Sequence, residues 1–584
     1  MFNCEALSER WTRAANRIAA RRAALTLAPA AFVLQPEPRS IGCPARGQQI
    51  CDGHLNVAGH PLDTSTASIW DANPPDEGSS AALQGFGWLD DLAALADPAA
   101  QAHAQAWTWQ WIARYGAGAG PGWAPDLAGR RLIRWMSHAD FLLRGQPPAA
   151  TKRYFRSLAR QTAFLRRRWP AAPAGLPRIE ALTGLLYAGV SLQGLQGVAS
   201  TALAALAQEG ARQIDEDGGL AGRNPEELLE VFTLLTWAAQ ALGDAGHPVQ
   251  DAHWRTVERI APTLRTLRHA DGGLARFHGG GRGLAGRLDA ALAISGVKSR
   301  RPGGRAMGFA RLGGGRTSVI VDAAAPPEGA ASEGAHASTL AFEVTSGRRP
   351  LIVSCGSGAR FGADWRRAGR ATPSHSALVL DGGSSARLSG DVRHPDRLSD
   401  APRHVPVTLS RTARGTRFEG AHDGYLRGHG MTHVRKLDLS ADGRALAGED
   451  MLIAVEEADR RRFDQTRHAS YPRGVPFEIR FHLHPEVVVD HGALSGSGRD
   501  GVSMTLRSGE VWVFETDGQI ALSLQPSVYL EKTQPEPRAA EQIVLSGRVL
   551  DHATRIRWSL AKSDKTPVGI RDVAGDVPEP VTQD

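Results

Sequence analysis

The hydrophobic residues of this chain follow two different periodicities in its two halves. Between about residues 83 and 294 they recur every three to four positions, as on one face of a helix. In the segment QAHAQAWTWQWIARYG, for example, Trp107, Trp111 and Tyr115 are spaced four apart. At least six such segments follow one another with short connections. The pattern predicts helices that bury their apolar faces against each other, in an all-α bundle, solenoid or toroid.

From about residue 308 to residue 560, apolar and polar residues alternate in short runs separated by turn-forming residues. Examples of these runs are TSVIVDAA, STLAFEVTSG and QIVLSGRV. Alternation is typical of half-buried β-strands, and the spacing of the turns indicates an antiparallel β-sandwich. The chain is therefore predicted to be a multidomain protein with a helical half followed by a β half.

The same pattern predicts the domain boundaries of the 584-residue chain, which is too long for one ordinary domain. We expect an irregular segment over 1–75, a helical domain over 76–300, a β domain over 301–562 and a polar tail over 563–584. Within the first segment, ERWTRAANRIAARR predicts a basic amphipathic helix. A signal peptide fits less well, because this basic part is too long and the apolar part after it contains a proline.

The composition narrows the class of partner. The net charge is +7, from 68 Lys and Arg against 61 Asp and Glu, which favours an acidic partner such as a glycan, a nucleic acid or an anionic membrane. The charge is scattered, as in many Arg-rich proteins of GC-rich genomes, and no basic stripe indicates a nucleic-acid partner. No run reaches the ~18 apolar residues of an integral membrane segment. Cys43 and Cys51 are equally compatible with a disulfide and with free thiols.

The order of several short segments resembles the heparinase II/III-like polysaccharide lyases, and most closely a less characterised bacterial branch. The segments span Ser68 to Lys562 and include SIWDANPPDEGSSAALQGFGWLDDL, DGGLAGRNPEELLEV, GAHASTLAFEVTSGRRPLIVSCG, RATPSHSALVLDG and SVYL. The resemblance implies an α/α toroid, an incomplete barrel of helical hairpins, packed on an antiparallel β-sandwich with a substrate cleft between them. It also implies β-elimination at a uronic acid, with a base, an acid and a group that neutralises the carboxylate.

Asn224 is the expected neutralising group. On its own, the segment NPEE predicts a helix start with Asn224 as N-cap and Pro225 in the first turn. The resemblance assigns this position to binding of the uronate carboxylate. Arg223 beside it is expected to pair with a substrate carboxylate or sulfate.

Two histidines precede short apolar runs in the β half. The resemblance implies that His336, in GAHASTLAFEV, is the base or a metal ligand. It implies that His375, in RATPSHSALVLDG, lines the cleft or binds metal. Arg370 in the same segment is expected to bind substrate or to be structural.

A tightly bound metal is not expected, and no cofactor is predicted. Zinc sites need three or four N, S or O ligands. Where zinc-binding relatives carry a carboxylate between the two histidines, this chain has Ser354, followed by Cys355. His336 and His375 remain weak candidate ligands for a structural divalent ion.

The general acid of the predicted site has two candidates. Lyases of this type use a tyrosine of the toroid, but the matching segment, DGGLARFHGGG, has Phe277 and His278 instead. The sequence leaves His278 and Tyr425 as candidate acids.

Three hypotheses about function follow. The first is a lyase that cleaves a uronate-containing acidic polysaccharide, and the second is a catalytically reduced glycan-binding protein of the same fold. The third is a toroid glycoside hydrolase, which needs two facing carboxylates and offers only Glu216 and Asp217 near the expected loop. The resemblance implies the cell envelope or periplasm, with the cytoplasm as the alternative. The oligomeric state and the specific glycan stay open.

Overall fold

The computed structural model describes residues 4–26, 31–65, 68–490, 501–518, 520–532, 534, 536–564 and 566. Nearly all of the predicted polar tail over 563–584 lies outside the described residues.

The α-helices are numbered in chain order. They are α1 (Cys4–Ala23), α2 (Pro44–Cys51), α3 (Glu77–Gln84), α4 (Gly87–Leu95), α5 (Pro98–Tyr115), α6 (Pro125–Ser137), α7 (Ala139–Leu143), α8 (Pro148–Arg168), α9 (Leu176–Ser191), α10 (Gln196–Gln213), α11 (Pro225–Asp244), α12 (Asp251–Leu267), α13 (Arg287–Ser295), α14 (Ala363–Arg370), α15 (Leu426–His429) and α16 (Glu457–Ser470).

The long helices of the N-terminal half pack against their neighbours in space, as the helical periodicity predicts. Helix α9 contacts α6, α10 and α11, and α12 contacts α10 and α11. Helices α6 and α9 approach most closely at Gly129 and Gly184, where a Cβ on Gly184 would overlap the backbone of Gly129. Their apolar faces share one core that contains Trp111, Trp135 and Tyr154. Within the described residues, no helix is both long and apolar enough to cross a lipid bilayer.

The first 75 residues are more regular than predicted. The expected basic amphipathic helix is α1, which buries Ala19, Ala20 and Ala23. Its Asn16 accepts a hydrogen bond of 2.6 Å from Arg168 Nε on α8. Helix α2 and a hairpin of two short strands follow before residue 75. The Gly and Pro residues of this segment therefore lie between helices and strands and do not keep them from forming. The cysteines at 43, 51 and 355 are free thiols.

The β-strands are also numbered in chain order. They are β1 (His54–Val57), β2 (His60–Asp63), β3 (Arg305–Ala306), β4 (Phe309–Gly314), β5 (Thr317–Asp322), β6 (Phe342–Ser346), β7 (Arg349–Val353), β8 (Leu378–Leu380), β9 (Arg387–Leu388), β10 (Leu398–Ser399), β11 (Val407–Thr412), β12 (Gly415–Tyr425), β13 (Met431–Ser440), β14 (Ala445–Ile453), β15 (Val475–Leu483), β16 (Val488–Asp490), β17 (Gly501–Thr505), β18 (Val511–Thr516), β19 (Ala521–Tyr529), β20 (Arg538–Val549) and β21 (Ala553–Lys562).

Two large antiparallel sheets form the β half, which confirms the predicted β-sandwich after the helical half. The first sheet has the order β19-β20-β15-β7-β6-β5-β4-β3, with β8 also paired to β15, and the second has the order β11-β12-β13-β14-β21-β18-β17-β16. The polar helix α16, which the sequence did not reveal, lies within this half and buries Phe463.

The first sheet has one face toward the helices and the other toward the second sheet. Along β5, Ile320 belongs to the helical core, whereas Val319 and Val321 belong to the core between the sheets. Side chains of a strand alternate between its faces, so Asp322 shares the helical face with Ile320. Charged residues on this face are therefore placed at the junction of the two halves.

Candidate functional site

The N-terminus of α11 marks one side of the candidate site. As predicted, Asn224 is its N-cap: Oδ1 accepts hydrogen bonds from the backbone N–H of Glu226 and Glu227 at 3.0 and 3.2 Å. The side chain lies against the turn at Gly279 and Gly280, where a Cβ would come within 3.8 Å of Nδ2 and 2.5 Å of Oδ1 respectively. Small residues at this turn let the loop from α12 to α13 reach the helix start.

His278 precedes this turn and is almost fully buried. Its Nδ1 accepts a hydrogen bond of 3.2 Å from the backbone N–H of His336. Nδ1 is therefore the bare nitrogen, and the proton is on Nε2, which lies 3.2 Å from Asp322 Oδ2. Burial lowers the pKa of His278, although Asp322 opposes the shift.

Asp322 ends β5 and carries a buried negative charge at the centre of the junction. Its Oδ1 accepts from the guanidinium of Arg223, and its Oδ2 accepts from Ser338 Oγ at 2.7 Å. Burial alone raises the pKa of this carboxyl, but Arg223 and then His278 outweigh burial and hold the pKa well below its usual range. Sequence reasoning missed Asp322; its signal was a carboxylate at the end of a wholly buried strand.

Arg223 lies inside the protein and does not present its guanidinium to a ligand. Besides Asp322, it donates to the carbonyls of Met307, Gly308 and Ala325 at 3.1, 2.8 and 2.7 Å. Every guanidinium nitrogen is thus engaged with the protein. The sequence-based expectation that Arg223 pairs with a substrate anion is not supported by this geometry.

His336 and His375 are adjacent and buried, at 2% and 0% exposure. His336 Nδ1 lies 3.2 Å from His375 Nε2, and His375 Nδ1 lies 3.0 Å from Ser354 Oγ. Burial and then the neighbouring histidines lower the pKa of His336 well below its usual value. Burial and then His482 lower the pKa of His375 to about 3. Both imidazoles are therefore neutral at pH 7.

The structure brings four of the predicted residues together in one cluster: Asn224, His278, His336 and His375. Like Arg223, the remaining two predicted residues lie elsewhere. Arg370 donates to the carbonyls of Ala335 and Ser332 at 2.8 and 2.9 Å, and so supports the segment before His336. Tyr425 is in the core between the sheets, and its hydroxyl donates to the Leu378 carbonyl at 2.7 Å. These positions contradict a substrate contact by Arg370 and an acid role for Tyr425.

The residues present do not fit a metal site. Within the described ranges, no group of three or more His, Cys, Asp or Glu side chains has an arrangement that holds a metal ion. The facing nitrogens of His336 and His375 are at hydrogen-bond distance from each other. The next side chain in this row of three is Ser354, whose hydroxyl contacts His375 where zinc-binding relatives would have a carboxylate.

Comparison with known proteins assigns this architecture to a family. A family model described as Heparinase II/III-like, C-terminal, matches residues 297–559. FtsZ-localized protein C of Caulobacter vibrioides (strain NA1000 / CB15N) is 32% identical over 539 residues, which cover 90% of this chain and 89% of that protein. The chain belongs to the heparinase II/III-like family.

Solved structures of heparinase II/III-like lyases share its architecture. Heparinase III superposes with a TM-score of 0.64 at 12% identity, covering 94% of this chain and 89% of that one. Heparan sulfate lyase HepC from Pedobacter heparinus superposes with a TM-score of 0.53 at 14% identity, covering 95% and 89%. At these identities the likeness establishes the fold, a helical toroid joined to an antiparallel sandwich.

Proposed function

We propose that the protein is a polysaccharide lyase that cleaves a uronate-containing acidic glycan by β-elimination, with His336 as the base. The observation that carries this proposal is a buried, neutral His336 in the same cluster as the N-cap Asn224 of α11. A base that removes the C5 proton must be unprotonated at the working pH. The lowered pKa of His336 meets that requirement.

The hydrogen bonds behind His336 allow two proton arrangements, and the lyase proposal requires one of them. If His375 Nδ1–H donates to Ser354 Oγ, then His375 Nε2 is bare and accepts from His336 Nδ1–H. This leaves a lone pair on His336 Nε2, which makes no hydrogen bond within the described part of the chain. In this arrangement His336 accepts a proton at Nε2, as the proposed base must.

Asn224 and its helix supply the group that neutralises the uronate carboxylate. Because Oδ1 is used for the cap, the amide Nδ2 is the atom that remains for a substrate oxygen. The positive end of the α11 dipole also favours an anion at this position. Both stabilise the charge that develops when the C5 proton leaves.

A glycan-binding protein without catalysis is the second candidate, because the predicted acid is occupied. His278 accepts from His336 N–H through Nδ1, while its Nε2 faces Asp322. The side chain has no exposed surface, so its Nε2 proton, beside Asp322, does not face a substrate leaving oxygen. The described site contains no replacement for the toroid tyrosine.

The lyase proposal is tested by ultraviolet absorbance, because elimination leaves an unsaturated uronate and hydrolysis does not. We expect absorbance to rise with at least one of heparan sulfate, alginate, hyaluronan or a bacterial exopolysaccharide. His336→Ala should lower the rate by about 10²–10⁴-fold, as for loss of a general base. The exposed His404 provides a matched control, and His404→Ala should leave the rate unchanged. Binding of a glycan without any rise in absorbance would establish the second candidate instead.

The relative named FtsZ-localized protein C supports a further candidate, a protein that assembles where FtsZ does, because it matches 90% of this chain. We propose the cell envelope as the compartment in which a polysaccharide would be met, with the cytoplasm as the alternative. A fluorescent fusion imaged beside labelled FtsZ tests both points. Overlap with FtsZ favours the assembly role, and an even peripheral signal favours the envelope alone.

A further inference from the structure

A cavity rich in arginine lies at the junction of the two halves, lined by residues other than those of the candidate site. Its volume is about 800 Å³. Its walls come from the end of α12 and the loop after it, the connection at 300–304, strand β4 and the hairpin of β11 and β12. The six arginines that line it are Arg265, Arg268, Arg300, Arg301, Arg311 and Arg411. Among the residues that the structure describes, no Asp or Glu lines it.

Two of these arginines are fixed by backbone carbonyls. Arg265 donates to the carbonyls of Val297 and Ser299, the latter at 3.1 Å, and Arg311 donates to that of Arg268. A carbonyl orients a guanidinium without cancelling its charge. Burial lowers the pKa of Arg265 and Arg311, and the charges of Arg300 and Arg268 lower it further. The positive charges of the cavity are thus close enough to repel one another.

Acidic neighbours compensate only part of this charge, from outside the cavity. Arg268 pairs with Asp289 at 2.8 Å, and Arg301 pairs with Asp217 at 2.7 Å. Both carboxylates are largely exposed, so these pairs are weak. Arg300 and Arg411 are exposed and have no ion-pair partner within the described ranges.

We propose that this cavity binds a molecule that carries several phosphate or sulfate groups. Arginine forks match the oxygens of tetrahedral oxyanions, and several of them in one concave site focus a positive potential on a ligand. The volume accommodates a ligand of disaccharide or nucleotide size rather than a single ion. The site does not depend on the chemistry of His336.

Isothermal titration calorimetry with inorganic tripolyphosphate and with sucrose octasulfate tests the proposal. We expect one molecule per chain, with an affinity that falls between about 50 mM and about 300 mM salt because ions screen the attraction. The double variant Arg300→Gln/Arg411→Gln should weaken binding at least about tenfold, because each substitution removes one charge-assisted contact to the ligand. Tighter binding of one probe assigns the site to phosphorylated or to sulfated molecules.

Three further variants test whether binding is specific to this cavity. Arg393→Gln/Arg403→Gln removes the same charge at exposed positions outside the cavity and should change affinity less than about twofold. Ser410→Asp places a negative charge on the exposed rim of the cavity and should weaken both probes. His336→Ala should retain full binding, which separates this site from the proposed lyase site. Failure of both probes to bind, or equal weakening by the control pair, would overturn the proposal.

Discussion

Lowering the pH from 7 to 5 is expected to remove much of the free energy of unfolding of this protein. Burial lowers the pKa of several histidines, and for His375 and His484 the pKa falls to about 3. The others with lowered pKa include His278, His336, His422 and His433. In the unfolded chain each titrates near its usual value of about 6.5.

The sign of the effect follows from proton uptake. Between the unfolded pKa of about 6.5 and the folded pKa of about 3, the unfolded chain binds a proton at His375 or His484 that the folded protein does not. Stability is therefore fully present above pH 6.5 and falls as the pH decreases, by about 1.4 kcal/mol per pH unit for each such histidine. Buried carboxylates do not cancel this loss: Glu343, with a pKa lowered to about 2, contributes stability that persists down to about pH 4.

Urea unfolding at pH 7, 6 and 5 measures this slope. His484→Gln should reduce the slope by about 1.4 kcal/mol per pH unit, because one buried histidine is removed. The exposed His404 again serves as a control, and His404→Ala should leave the slope unchanged. A free energy of unfolding that stays constant from pH 7 to pH 5 would contradict the burial of these neutral imidazoles.

Asp450→Ala is expected to be the most destabilising single substitution in the β half. Asp450, on the inner face of β14, accepts hydrogen bonds from Arg435 Nε, His433 Nε2 and Trp558 Nε1 at 2.8, 2.8 and 2.9 Å. Arg435 and His433 have no exposed side-chain surface. Removing the carboxylate leaves a buried guanidinium uncompensated, which costs about 3–5 kcal/mol.

An exposed ion pair in the same sheet gives the matched comparison. Arg417 and Asp438 form a 2.6 Å contact across β12 and β13, with 64% and 45% of their side chains exposed. Asp438→Ala should cost less than about 1 kcal/mol. The denaturant midpoints of the two variants, compared at equal m-value, measure the two losses in free energy of unfolding. Similar losses would contradict the expected cost of leaving Arg435 buried without the Asp450 carboxylate.

The same network shows how far the sequence alone could lead. Periodicity was enough to predict a helical half and a β half, because each element buries one face. The segment NPEE was enough to predict Asn224 as an N-cap, because the start of a helix is specified by residues that are neighbours in the sequence. The glycines in the segment HDGYLRGHGMTH are typical of an exposed turn, yet its His422 and His433 are buried. His433 Nδ1 accepts from His422 Nε2 at 3.2 Å, and its other nitrogen donates to Asp450.

What the sequence could not provide were partners distant along the chain. Arg223 suggested an anion-binding residue, but its acceptors are carbonyls about 84–102 positions away and Asp322. Tyr425 suggested an acid, but its strand turns it toward the second core. The functional roles of residues on loops depend on such long-range pairings, which no local pattern encodes. His336 and His375 could be brought together only through the family resemblance.

The ion pair of Arg223 and Asp322 has a consequence for the relative motion of the two halves. It joins the loop before α11 to the end of β5, at the centre of the junction between the helical and β halves. A rigid-body hinge between the halves would separate these two buried charges, which are 10% and 0% exposed, and such a separation is energetically expensive. The Arg223–Asp322 pair is therefore expected to resist a jaw-like opening of the two halves.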